Sequence, residues 1–108
     1  MKRTIITAML VALATPTLAS DFTPEERQRC ETISEVAKTV MDNRQSGVSM
    51  RRQMEAIASD DGNELFEKII AQAYRHPNYQ TPEITSRTVG DFSDRWYRLC
   101  YDALKGED

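Results

Sequence analysis

The chain has 108 residues, with 17 Asp and Glu against 14 Lys and Arg, for a formal net charge of −3. That length sets the scale of one small domain. The acidic balance repels phosphate backbones at long range and so argues against general nucleic-acid or anionic-membrane binding.

The first twenty residues read as a secretory leader. Met1-Lys2-Arg3 is a short positive start, Ile5 to Leu13 is an uncharged apolar run, and Thr17-Leu18-Ala19-Ser20 places small residues at the cleavage spacing. The apolar run is too short to span a bilayer as a mature helix. The expected division is therefore a signal peptide over 1–19, cut near Ala19 or Ser20, and one helical domain over 20–108. It implies a periplasmic or secreted protein with no membrane anchor after cleavage. Losing Lys2 and Arg3 takes the net charge from −3 to about −5.

The remaining segment shows helical periodicity throughout, without strand-like alternation. Thr23 fits an N-cap, Pro24 the first helical position, and Glu26 completes a capping box. Cys30, Ile33, Val36, Ala37, Val40 and Met41 then share one apolar stripe. This first helix is expected to end near Arg44, with Ser46-Gly47 as the turn. The second helix, capped by Ser49, has a narrow apolar edge of Met50, Met54, Ile57 and Ala58 and stops at Ser59-Asp60-Asp61-Gly62. The third is capped by Asp61 or Asn63. It carries Leu65, Phe66, Ile69, Ile70, Ala73 and Tyr74, a face so wide that it calls for more than one neighbour. His76-Pro77 ends it.

Thr81-Pro82-Glu83 repeats the opening pattern of the first helix and starts the last one. Thr85, Thr88, Val89, Phe92, Trp96, Leu99, Cys100 and Ala103 form its core stripe. Gly90 inside it suggests a bend or a close crossing, and fraying is expected from Lys105.

The two cysteines, Cys30 and Cys100, stand near opposite ends of the exported segment. An even count in an exported chain points to a disulfide. Closing a loop of about 70 residues removes roughly 4 kcal/mol of unfolded-state entropy. Short connections favour antiparallel neighbours, and the two cysteines lie at matching depths across such a pair. The expected fold is all-α: a small antiparallel four-helix bundle with one disulfide joining its first and last helices.

No catalytic set emerges. His76, the single histidine, stands where it can answer a helix dipole, and no sequence neighbour nominates it as a base. Nucleophile-elbow, Walker and zinc-protease spacings are absent. Asp60-Asp61-Gly62-Asn63-Glu64 offers oxygen ligands, but its spacing is not that of a calcium loop and capping accounts for its members. Glu25-Glu26 and Asp91 with Asp94 are carboxylate pairs of the kind that ordinarily sit on solvated faces. No enzyme, metal or cofactor is expected.

Two arginine groups, Arg44 with Arg51 and Arg52, and Arg87 with Arg95 and Arg98, could grip anions bidentately. A solvated face paired with acids such as Asp91, Asp94 and Asp102 explains them more simply. Tyr97 and Tyr101 flank the last core stripe, with Tyr74 and Tyr79 as further candidates. Tyrosine beside arginine is the composition of interface hot spots, so Tyr97, Arg98 and Tyr101 are the candidate interaction surface.

Cys30, the Arg44-Gln45-Ser46-Gly47-Val48 turn, Ala73-Tyr74 and Cys100 together resemble the small exported, uncharacterised two-cysteine helical proteins of bacteria and phages. That resemblance implies a helical fold with one disulfide and no reaction. The plan is also similar, more loosely, to the periplasmic acid chaperones of the HdeA kind, although the cysteine placement differs. That resemblance implies client holding in acid. Protonating the acidic residues would drive the charge strongly positive and strain the fold. The expected function is non-enzymatic binding of another envelope or extracellular macromolecule, a protein partner, through a helix face. An acid-responsive chaperone is the alternative and a small hydrolase the third reading.

Overall fold

A computed structural model describes residues 21–59 and 63–106. The expected leader, and with it the expected cleavage site, lies outside the described residues, as does the Asp60–Gly62 part of the acidic loop. Four helices follow one another: α1 (Pro24–Gln45), α2 (Met50–Ile57), α3 (Glu64–Ala73) and α4 (Pro82–Lys105). All described regular structure is helical.

The helix starts differ in how well they are capped. At α1 the Glu26 N–H donates to Thr23 Oγ1 and the Thr23 N–H donates to Glu26 Oε1, both at 3.1 Å, so two otherwise unpaired amides are satisfied reciprocally. Ser49 caps α2, accepting from the Arg52 N–H at 3.1 Å. Thr81 occupies the N-cap of α4 ahead of Pro82 but makes no side-chain cap bond. The repeated Thr-Pro-Glu pattern therefore reproduces the position and not the hydrogen bonding. Asn63 likewise holds the N-cap of α3 without a side-chain bond.

Helices α1 and α4 lie antiparallel along their length. Cys30 and Cys100 form the disulfide, with Cα atoms 5.5 Å apart. One step along, Ser93 Oγ donates to the Ser34 carbonyl at 3.0 Å. At the other side of the disulfide, Lys105 Nζ donates to the Asp21 carbonyl and stands 3.7 Å from Glu26 Oε1. The expected fraying at Lys105 is thus corrected: its side chain is only 7% exposed, because it ties the end of α4 to the start of α1. Gly106, at φ 72°, closes α4 in the left-handed conformation that costs glycine least.

The core is built from Ala37, Val40 and Met41 of α1, Ile69, Ile70 and Ala73 of α3, and Val89 and Phe92 of α4, with Ala58 at the end of α2. Ile33, Val36, Met54, Ile57, Phe66, Tyr74 and Trp96 pack around it, half-buried. The third helix packs on α1 and α2, while its backbone scarcely approaches that of α4. Gly90 requires neither a bend nor a close crossing: α4 runs unbroken through it, and a Cβ added there would meet open space.

Candidate functional site

A polar network holds the α1–α2 turn and the segment after α3. Gln53, 1% exposed, is the buried polar residue of the core. Its Nε2 donates to the Val40 carbonyl at 2.9 Å and to Tyr74 Oη at 2.8 Å, and its Oε1 accepts from Asn43 Nδ2 at 3.0 Å. The Tyr74 hydroxyl in turn donates to the Val48 carbonyl. Every buried amide atom of Gln53 therefore has a partner, as burial of such a group demands.

Arg44 belongs to this network rather than to a surface cation cluster. Its Nε and Nη2 donate to the His76 carbonyl at 3.0 and 2.8 Å, and its guanidinium lies 4.9 Å from the Tyr74 ring centroid. Gln45 extends the clamp, donating to the Pro77 carbonyl and accepting from the Tyr79 N–H, each at 2.8 Å. Arg51 and Arg52 stay exposed on α2. His76 lies past the end of α3, and its ring packs edge-on to Phe92, centroids 5.7 Å apart.

The sequence-predicted surface divides. Arg98 is open, its side chain 77% exposed and its Nε 3.8 Å from Asp102 on the next turn. Tyr97 and Tyr101 meet Phe22, which stands edge-on to both rings at centroid distances of 6.3 and 5.0 Å. The Arg27 guanidinium lies over the Phe22 ring, 5.5 Å from its centroid. The tyrosines thus seat the segment that enters α1, and Phe22 is a contributor that periodicity could not find, since it precedes the first cap.

On the opposite shoulder of α4 the structure opens a second feature. An apolar trough of about 370 Å³ runs between α3 and α4 above α1, floored by Ile33, Leu65, Trp96, Leu99, Ala103 and Leu104. Leu65 is 40% exposed and Leu99 44% exposed. Both belong to stripes that the sequence assigns to the core, yet no neighbour covers them. The cause is the layout: α3 sits against α1 and α2, so the edges of α3 and α4 that face each other remain apart.

Arg29 and Lys68 stand at the walls of the trough. It continues past Trp96 and Leu99 into a stretch bounded by Lys68, Ala71, Gln72, Arg75 and Arg95. On α3 the positions 65, 68 and 72 recur at the spacing of one helix face, and Arg75 follows in the turn after the helix. Four cations therefore border the two stretches, and neither is lined by a carboxylate. Among the described residues, the ion pairs involve Arg98 and Lys105 and none of these four. Beyond Arg95 lies a smaller hollow of about 270 Å³ formed with His76, Tyr79, Thr88, Asp91 and Phe92.

Volume and lining place the trough within the range of binding sites: concave, mostly apolar, with a few charged groups at its margin. Sequence reasoning names Arg95, with Arg87 and Arg98, as able to grip anions but prefers a solvated face, and does not single out Arg29, Lys68 or Arg75. The available signal was the excess width of the α3 stripe together with Lys68 and Arg75, which flank it at helical spacing.

Among the described residues, no group of three or more His, Cys, Asp and Glu side chains is placed to hold a metal ion. No described helix is long and apolar enough to cross a membrane. The chain matches no family model, no curated protein and no solved structure.

Proposed function

We propose that this is a non-catalytic binding protein of the periplasm or the extracellular space, which engages another macromolecule through the groove side of α4. The observation that carries this reading is the open apolar trough between α3 and α4, with Leu65 and Leu99 exposed at its centre. An open apolar concavity with a few charged groups at its margin is the form that binding sites take. The positively charged start and apolar run at the head of the sequence support export, and the Cys30–Cys100 disulfide suits an oxidising compartment. The His76 ring, packed on Phe92, has a structural use that needs no reaction.

An acid-triggered chaperone would have to uncover its client surface on protonation. The trough is open in the folded state, which favours standing recognition over a switch.

A photo-crosslinking side chain in place of Leu99 of the exported, oxidised protein tests the reading. Discrete adducts with envelope or extracellular material are expected from position 99 and not from Glu83, near the far end of α4. Adducts from Arg98 alone would move the site to the tyrosine side, and no adducts from position 99 would remove the trough as the binding surface.

A further inference from the structure

We infer that the α3–α4 trough receives an amphipathic helix of a partner protein whose apolar stripe is flanked by carboxylates. This rests on the trough being the binding surface and adds the chemistry of what fills it.

The walls are two helices whose facing edges scarcely approach one another, and each presents residues at the three- and four-residue spacing of a helical ridge. A third helix laid between them can seat its own ridge in that gap, the groove-docking mode in which anchors fall at i, i+3 or i+4, and i+7.

Charge selects the kind of helix. The whole chain is net negative at −3, yet Arg29, Lys68, Arg75 and Arg95 border the trough and no carboxylate lines it. None of the four has a carboxylate partner among the described residues. A local excess of one sign against the sign of the whole molecule is complementary to an anionic partner and hostile to a basic one.

Their distribution argues for a helix over a lipid or surfactant. Lys68, on α3, borders both stretches of the trough, while Arg75, in the turn just past α3, borders only the second. Arg29 stands toward the disulfide end and Arg95 toward the other. A single-headed amphiphile presents its charge at one place, whereas a helix presents carboxylates on successive turns along the whole length.

Trp96, the single tryptophan of the chain, lines both stretches of the trough and reports its occupancy. The oxidised exported protein is titrated with two tryptophan-free helical peptides that share one leucine stripe, flanked by Glu in one and by Lys in the other. The Glu-flanked peptide is expected to shift Trp96 emission saturably to the blue and to bind at least about tenfold more tightly, the preference shrinking as salt rises. The double variant Lys68→Glu/Arg75→Glu, both positions exposed, should reverse that order while keeping its helical circular dichroism. Leu99→Asp should weaken both peptides.

Equal affinities for the two peptides, or an order unchanged by the charge reversal, would overturn the acidic helix. So would saturation of Trp96 by dodecyl phosphate or phosphatidylglycerol vesicles when the Glu-flanked peptide has no effect. A concentration-dependent dimer abolished by Leu99→Asp would replace the partner with a second copy and overturn it equally. In those cases an occupied trough still stands as the binding surface. If no probe moves Trp96 and position 99 yields no crosslink, both readings fall.

Discussion

The two flanks of α4 are built to opposite ends. Toward α1 it is closed by a disulfide, by the Ser93–Ser34 hydrogen bond and by the Lys105 tie to Asp21 and Glu26. Toward α3 it presents Leu99 and Trp96 to a gap. The difference teaches that covalent closure on one side permits openness on the other. A small domain ordinarily needs all its apolar surface for its core. Here part of the stabilisation comes from loop closure, and apolar residues at the edge of two stripes are left available for a partner.

The strongest way to break this comparison is to open the closed flank. Replacing Cys30 and Cys100 together by serine removes a link across a sequence separation of 70 residues. The expected loss is about 4 kcal/mol, a large share of the stability of any small domain. Urea unfolding of the oxidised, reduced and double-serine proteins should show the latter two shifted alike to low denaturant. If reduction leaves the midpoint unchanged, α1 and α4 are held by packing alone and the trade between the flanks is not what stabilises this fold.

The next test contrasts the two kinds of apolar residue on α3 and α4. Ile69 is fully buried and Leu99 is 44% exposed. Ile69→Ala should cost ~2–5 kcal/mol through lost burial and the cavity left behind. Leu99→Ala should cost under ~1 kcal/mol, as it vacates surface already facing water. Equal costs in chemical denaturation would mean that the trough is closed by protein in solution. The polar network should fall between them. Gln53→Ala removes the second donor to the Val40 carbonyl, the acceptor of the Asn43 amide and a partner of Tyr74, so about 1–3 kcal/mol is expected in the same assay. A smaller loss would show that water replaces the side chain there.

The fold was legible because its determinants are local. Thr23-Pro24 with Glu26, and Ser49, mark helix starts through side-chain geometry, and the stripe from Cys30 to Met41 follows from periodicity alone; α3 stops at Ala73, short of the His76-Pro77 expected to end it. Pairing of α1 with α4 was legible too, since two cysteines at matching depths admit one solution. The trough was not. Periodicity places Leu65 and Leu99 on apolar faces, but whether a neighbour arrives to cover them depends on how α3 is shared between α1, α2 and α4, which is a property of the assembled backbone. Gln53 was illegible for the converse reason: a polar residue in a narrow amphipathic helix reads as solvent-facing until the carbonyl of Val40 is brought beside it. Arg44 reads in sequence as part of a charged surface because its acceptor, the His76 carbonyl, belongs to no side-chain pattern.

The finest test returns to α4 itself. Gly90 lies in the interior of a 24-residue helix, with nothing but its own helix's backbone and its chain neighbours within 4 Å of the position its Cβ would take. Glycine there carries backbone entropy that alanine does not, so Gly90→Ala should raise stability by ~0.5–1 kcal/mol. The change is read as a higher urea midpoint at constant slope, with Trp96 emission as the probe and the affinity for the Glu-flanked peptide unaltered. Gly90 sits well before the trough on the chain and borders an open hollow with Lys38 and Asp42 of α1, so a gain confined to stability is expected. A destabilised variant would reveal a close packing partner at this face. It would make the α1 flank of α4 tighter at this point than the hollow beside Lys38 and Asp42 allows.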